Sequence, residues 1–248
     1  MATEPTKDEL AIFDEIGQLA ESIWDVSRTF SAPFTDPKMM SVLLYKRLRT
    51  NHIGFTALWN QPLPLEAAMI LRSGLEAAIC IAANLRMQAD FVALVRADAT
   101  ATLTGQIKMQ RADDATDLVR DSEANLRLLT DGLPEGIKPA RLEWQSLAEA
   151  GNVPRLYGWH RMLSGISSHV TGLSLMQGIS DDSKEMDASQ ERLRNLNKRM
   201  HPMMMASATL TGSLHHAEHL GDEKHHVAAV DLSKRMDELS EEWPGVKR

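Results

Sequence analysis

The sequence predicts an all-α protein, on three observations. Strand signals are scarce: aromatics make up 5% of the 248 residues, and β-branched residues rarely alternate with polar ones. Helix formers dominate, chiefly alanine, leucine, methionine, glutamate and arginine. Apolar residues recur every three to four positions along nearly the whole chain. The expectation is a bundle of seven or eight helices.

The first helix starts at Thr6, because Thr6 and Glu9 have the spacing of a capping box. Leu10, Phe13, Ile16, Leu19, Ile23 and Trp24 carry its apolar stripe to about Phe30. After the connector 31–37, Asp36 and Pro37 fit an N-cap and first helical position, since proline lacks an N–H that would be unpaired there. That second helix runs to about Trp59. Pro62 and Pro64 separate it from a third, Leu65 to Met87. A long helical stretch follows from Asp90 to Leu129, with a break near Asp113–Asp114. Beyond the loop 131–136, a short helix from Pro139 to Ala150 ends at Gly151, read as a left-handed terminator. The next helix begins near Pro154. The last two run from about Ser189 to Leu220, interrupted at Pro202, and from the Gly221-Asp222 turn to Glu242.

Neither a repeat nor a Gly/Ser linker divides the chain, so one helical domain over residues 1–248 is expected; the alternative is a semi-independent C-terminal hairpin over 185–248. With 27 Lys+Arg against 34 Asp+Glu, the net charge of −7 argues against coating duplex DNA or an anionic membrane. The single cysteine, Cys80, excludes an internal disulfide and any multi-cysteine metal site. With no basic, apolar leader at its start, the chain is expected in the cytoplasm.

The third helix holds the most informative irregularity. From Ala67 to Ala83 it is apolar on nearly every side, interrupted by Arg72, Ser73, Gly74 and Glu76. Such a helix lies at the centre of a bundle or in a membrane, and two mid-helix charges oppose insertion. The central position places Arg72 and Glu76 in the interior, four residues apart on one face. They are read either as an arginine poised for an anionic or carbonyl group or as a structural pair at a helix crossing.

A second constellation spans residues 157–169. Tyr157, Arg161, Gly165, Ser168 and Gly172 share one face, opposite Met162, Leu163, Ile166, Val170 and Leu173. Small residues let a helix or ligand approach, while Tyr157, Arg161 and His169 supply polar groups. His169 suits acid–base work near neutral pH. The plainer alternative is a close helix crossing with a histidine satisfied in the core.

Leu71-Arg72-Ser73-Gly74-Leu75-Glu76, the stretch Trp144 to Gly151, and Tyr157 to His169 together resemble a bacterial family of all-helical proteins without an assigned function. The resemblance covers roughly residues 40 to 175 and carries over Arg72, Glu76, Tyr157, Arg161, Ser164 and His169 as that family's polar positions. More remotely, the arrangement is similar to HEPN proteins, helical bundles of toxin–antitoxin and phage-defence systems. Many of those are metal-independent RNases whose motif is an arginine followed, after four to six residues, by a histidine. In that chemistry the histidine moves a proton at the ribose 2′-hydroxyl and the arginine stabilises phosphate charge. Arg161 and His169 have seven residues between them, outside that window. Arg47/His52, Arg155/His160 and Arg194/His201 fall inside it, but 17 arginines and 9 histidines yield roughly two such pairs by chance. Arg194/His201 is the second candidate pair, because polar Asn195 follows the arginine; a solvated stripe of Arg194, Lys198 and His201 is the plainer reading.

The histidine-rich run from His215 to His226 invites a metal, yet His215 and His219 fall opposite Leu210, Leu214 and Ala217 and are expected to face solvent. No metal site is expected there, and no cofactor is implied. The 14 methionines, including Met203–Met205, read as adaptable core or an oligomer face. Phosphate-loop, nucleophile-elbow and dinucleotide motifs are missing from the sequence. Two functions therefore compete. One is a HEPN-like, metal-independent RNase using Arg161 and His169, or Arg194 and His201, with RNA held in a local cleft or between the protomers of a homodimer. The other is a non-enzymatic module whose Arg72, Glu76, Tyr157 and Ser164 bind a small anionic ligand or lock the bundle.

Overall fold

The computed structural model of the chain describes residues 4–27, 35–61, 63–131, 138, 140–167, 174–175, 188–241 and 243. Among these there is no strand, and nine principal helices follow one another, one or two more than the sequence reading counted. They are α1 (Lys7–Ser27), α2 (Pro37–Trp59), α3 (Pro64–Met87), α4 (Ala89–Ala112), α5 (Thr116–Thr130), α6 (Trp144–Ala150), α7 (Pro154–Ser167), α8 (Ala188–Leu220) and α9 (Glu223–Ser240). The extra helix comes from a complete break after Ala112, where Asp114 takes a left-handed φ of 54°. None of the described helices is long and apolar enough to cross a membrane.

The local signals act as their chemistry dictates, with instructive exceptions. Thr6 and Glu9 close the capping box reciprocally: the Glu9 N–H donates to Thr6 Oγ1 at 3.2 Å, and the Thr6 N–H to Glu9 Oε2 at 2.7 Å. Asp36 caps α2 by accepting from the Lys38 N–H. Leu10, placed in the apolar stripe by its spacing, is 46% exposed, and Glu9 takes the inward position instead. The short helix begins at Trp144 rather than Pro139. Gly151 is not a left-handed terminator; its φ is −77°, and Asn152 carries the positive φ of 56°. Its glycine serves close packing, because a Cβ there would lie 2.8 Å from Ala82 Cβ and 2.9 Å from the Ala83 nitrogen. The turn between α6 and α7 thus sits directly on α3, which sets α7 beside the charged face of that helix.

At the centre lies α3, packed against α2, α8, α7, α6 and α4. Its residues Ala67, Ala68, Leu71, Leu75 and the run Ala77–Ala83 are buried on every side, as an all-round apolar helix requires. Helix α8 continues through Pro202 as one element, without the expected interruption. One i→i−4 hydrogen bond is lost there, but Met200, Met203, Met204, Met205 and Ala206 are buried on both flanks and hold the helix in register. These methionines are therefore core, whereas Met69, Met109 and Met162 are exposed. Besides α9, α8 contacts α1, α2 and α3.

Candidate functional site

Arg72 and Glu76 project from α3 towards α7 and meet two of its residues in a closed polar ring. Arg72 Nη2 lies 2.8 Å from Glu76 Oε1, and Arg72 Nε donates to Ser164 Oγ at 3.1 Å. Ser164 Oγ donates in turn to the His160 carbonyl at 2.7 Å, one turn back. His160 Nε2 closes the ring on Glu76 Oε1 at 3.1 Å. An ionised carboxylate only accepts, so His160 Nε2 is the donor of this bond. Its Nδ1 is buried and has no hydrogen-bond partner. The rings of Trp144 and Tyr157 lie 5.3 Å and 6.3 Å from the imidazole and shield it from water.

The ring is only partly enclosed. The Arg72 and Glu76 side chains retain 27% and 19% exposure, so the pair is not the deeply buried one that the apolar surroundings implied. Leu156, His160 and Leu163 form the buried face of α7, and Ser164 stands at its edge. A neighbouring serine supports the arginine's helix: Ser73 Oγ accepts from Arg47 Nη2 at 3.0 Å and from Asn51 Nδ2 at 3.2 Å. The result is a guanidinium held in one orientation by a carboxylate and a hydroxyl, with part of its surface open to solvent. Such a group is preorganised for a planar oxyanion.

Of the residues singled out in the sequence, the structure brings Arg72, Glu76 and Ser164 together, with Tyr157 half-buried beside them. Arg161 is exposed on α7. His169, like Ser168, lies outside the described residues. The stripe of small residues makes no close helix crossing among the described residues, since a Cβ at Gly158 or Gly165 would meet nothing within 4 Å. Arg194 is half-buried and Lys198 exposed, but His201 is 1% exposed, with neither ring nitrogen bonded. Burial pulls its pKa down to about 4, so it is neutral and shut away from solvent rather than part of a solvated stripe.

The C-terminal histidines also turn inwards. His216 is fully buried, bonded to Ser41 Oγ at 2.7 Å and Ser27 Oγ at 2.9 Å and stacked on Tyr45; burial takes its pKa to about 3. His219, expected to face solvent, is 7% exposed, and His215 is half-buried. On α2, His52 bonds Thr209 Oγ1 and stacks on Phe13, and burial lowers its pKa to about 4. Among the described residues no group of three or more His, Cys, Asp or Glu side chains is arranged to hold a metal ion.

Sequence reasoning missed His160 as a member of the ring, treating it as half of a chance Arg155/His160 pair. Its signal was the shared face of Leu156, His160, Leu163 and Ser164, which only the α3 contact makes meaningful. Also missed was the deeply buried pair of Arg199 with Glu9, because 190 residues separate its partners. Comparison with known proteins adds no relative: no family model, no curated protein and no solved structure matches the chain.

Proposed function

We propose that the ring around Arg72 is a binding site rather than a catalytic one, and that it takes a small anionic ligand, a carboxylate or a phosphate monoester. One observation carries this reading: Arg72 is oriented by Glu76 and Ser164 yet keeps about a quarter of its side chain exposed. A guanidinium already fixed in place loses little freedom when it takes a ligand, which is the benefit of preorganisation. Ser164 adds a hydroxyl beside it.

The test is thermal unfolding in the presence of small carboxylates and phosphate monoesters. A ligand at 100 times its Kd should stabilise the fold by about 2.7 kcal/mol. Arg72→Lys keeps the charge but loses the planar fork, and should abolish the shift. An equal shift in Arg72→Lys, or none in the natural protein with either class of anion, overturns the reading.

A metal-independent RNase is the second reading, favoured by the exposure of Arg161 on α7. In that reading Arg161 and His169 act on RNA, because His52, His160 and His201 of the three in-window pairs are all buried. Cleavage should then persist in EDTA and disappear in Arg161→Ala and His169→Ala. RNA left intact by the natural protein removes it.

A further inference from the structure

On the other side of the bundle, α1 and the start of α9 bring a serine, a histidine and an aspartate into a relay. Ser22 Oγ lies 2.8 Å from His225 Nε2, and His225 Nδ1 lies 2.5 Å from Asp222 Oδ2. The carboxylate can only accept, so Nδ1 carries a proton, and in the neutral imidazole Nε2 offers its lone pair to the serine O–H. This is the arrangement of an activated nucleophile: hydroxyl, base within hydrogen-bond reach, and a third group orienting the base. Ser22 is exposed, whereas the His225 side chain is 8% exposed and Asp222 21%. The base is thus protected while the nucleophile remains accessible.

The molecule contains an internal contrast. Ser27 and Ser41 also touch a histidine, His216, but both serines are fully buried and neither nitrogen of that ring meets a carboxylate. Among the described residues, only the Ser22 relay combines exposure with an orienting acid. Asp222 is tied down a second time, because its Oδ1 accepts the His225 N–H as the N-cap of α9.

We propose that Ser22, His225 and Asp222 form an acyl-transfer site for small, unhindered esters, independent of the Arg72 ring. Ser22 Oγ bonds to the ester carbonyl carbon as its proton passes to His225 Nε2. The carbon–oxygen bond to the alcohol then breaks, and the leaving alkoxide takes that proton. Water repeats the sequence: its proton goes to Nε2, its oxygen displaces Ser22 Oγ, and the acid is released as the serine regains its proton. Ser22 and His225 touch the reacting atoms, and Asp222 is a positioning residue. The exposed flank of α1 restricts the substrate to esters that need no deep pocket.

The experiment is labelling of the full chain with a fluorophosphonate probe, with peptide mapping, alongside hydrolysis of 4-nitrophenyl acetate. Label should map to Ser22, and both label and turnover should vanish in Ser22→Ala. His225→Gln should slow labelling by about 100-fold or more, the contribution of a general base. Asp222→Asn separates positioning from folding, because asparagine caps a helix as well as aspartate does. Labelling should slow in that variant while its circular dichroism and melting temperature hold. No label on Ser22 in the natural protein, or labelling of folded Asp222→Asn at the full rate, overturns the proposal.

Discussion

Two of the Arg–Glu pairs in this bundle, Arg199–Glu9 and Arg72–Glu76, are built in opposite ways. Arg199 and Glu9 join α8 to α1 with side chains 5% and 1% exposed. Both Glu9 oxygens are saturated: Arg199 donates through Nε and Nη2, Trp243 through its indole N–H at 2.7 Å, and Thr6 through its backbone. Arg72 and Glu76 are more exposed, and Arg72 and His160 both bond Glu76 through Oε1. A pair whose work is structural has every acceptor filled and water excluded. The ring between α3 and α7 leaves hydrogen-bonding capacity facing solvent, which is why the ligand reading belongs to it and not to the stronger pair.

Acidification should break the closed side first, and by the largest amount. Burial lowers the pKa of His52 and His201 to about 4 and of His216 to about 3, from 6.5. All three line the α8 seam with the Glu9–Arg199 pair. The unfolded chain takes up their protons as pH falls below 6.5, while the folded protein resists until pH 4 or below. Their stabilisation is therefore complete above pH 6.5 and drains away between pH 6.5 and about 4. Each histidine removes about 1.4 kcal/mol per pH unit over that interval. Three together rival the whole stability of a domain, about 5–15 kcal/mol. Burial raises the Glu9 pKa, but hydrogen bonds from Arg199, Thr6 and Trp243 outweigh it and leave it below 4.5. Its contribution is present above pH 4.5 and is lost as pH falls through the lower folded value. Urea titrations at pH 7, 6 and 5 should show the midpoint falling steeply; a flat profile would mean that these rings are hydrated.

Removing one partner from each pair sharpens the comparison. Arg199→Ala strands Glu9 without water and should cost about 3–5 kcal/mol. Arg72→Ala leaves a carboxylate that solvent and His160 still reach. Its cost should fall between those of an exposed and a buried pair, about 1–2 kcal/mol. Equal losses in denaturant unfolding would make both pairs structural and remove the contrast on which the binding site rests.

Much of this was legible in the sequence, for identifiable reasons. The helical period, the Thr6–Glu9 box, Asp36–Pro37 and Gly221–Asp222 are local signals, and each acts within a few residues of where it is read. Arg72 and Glu76 were visible because charge interrupted an apolar helix. What escaped was long-range. Nothing near Glu9 shows that a capping carboxylate also receives Arg199, and nothing near His201 shows that its polar stripe turns into the core. Histidine is the residue most open to such error, because its ring suits solvent, core and site equally until its neighbours are known. The Ser22 relay escaped for the same reason, its serine and histidine lying 203 residues apart.

The smallest expected effect tests the open ring most directly. Ser164→Ala removes one hydroxyl that accepts from Arg72 Nε and donates to the His160 carbonyl. The carbonyl lies within helix α7, and the half-exposed guanidinium can take water in place of the serine. The fold should therefore lose only about 0.5–1.5 kcal/mol, the worth of an ordinary hydrogen bond. Anion binding should suffer more than folding, because the arginine is then steered by Glu76 alone, which draws it along α3 rather than towards α7. Parallel measurement of unfolding free energy and anion affinity in Ser164→Ala and Ser164→Thr resolves the two roles. Threonine keeps the hydroxyl and should restore affinity. If alanine lowers stability by several kilocalories per mole and threonine does not rescue binding, Ser164 is a packing residue and the ring is a second structural clamp.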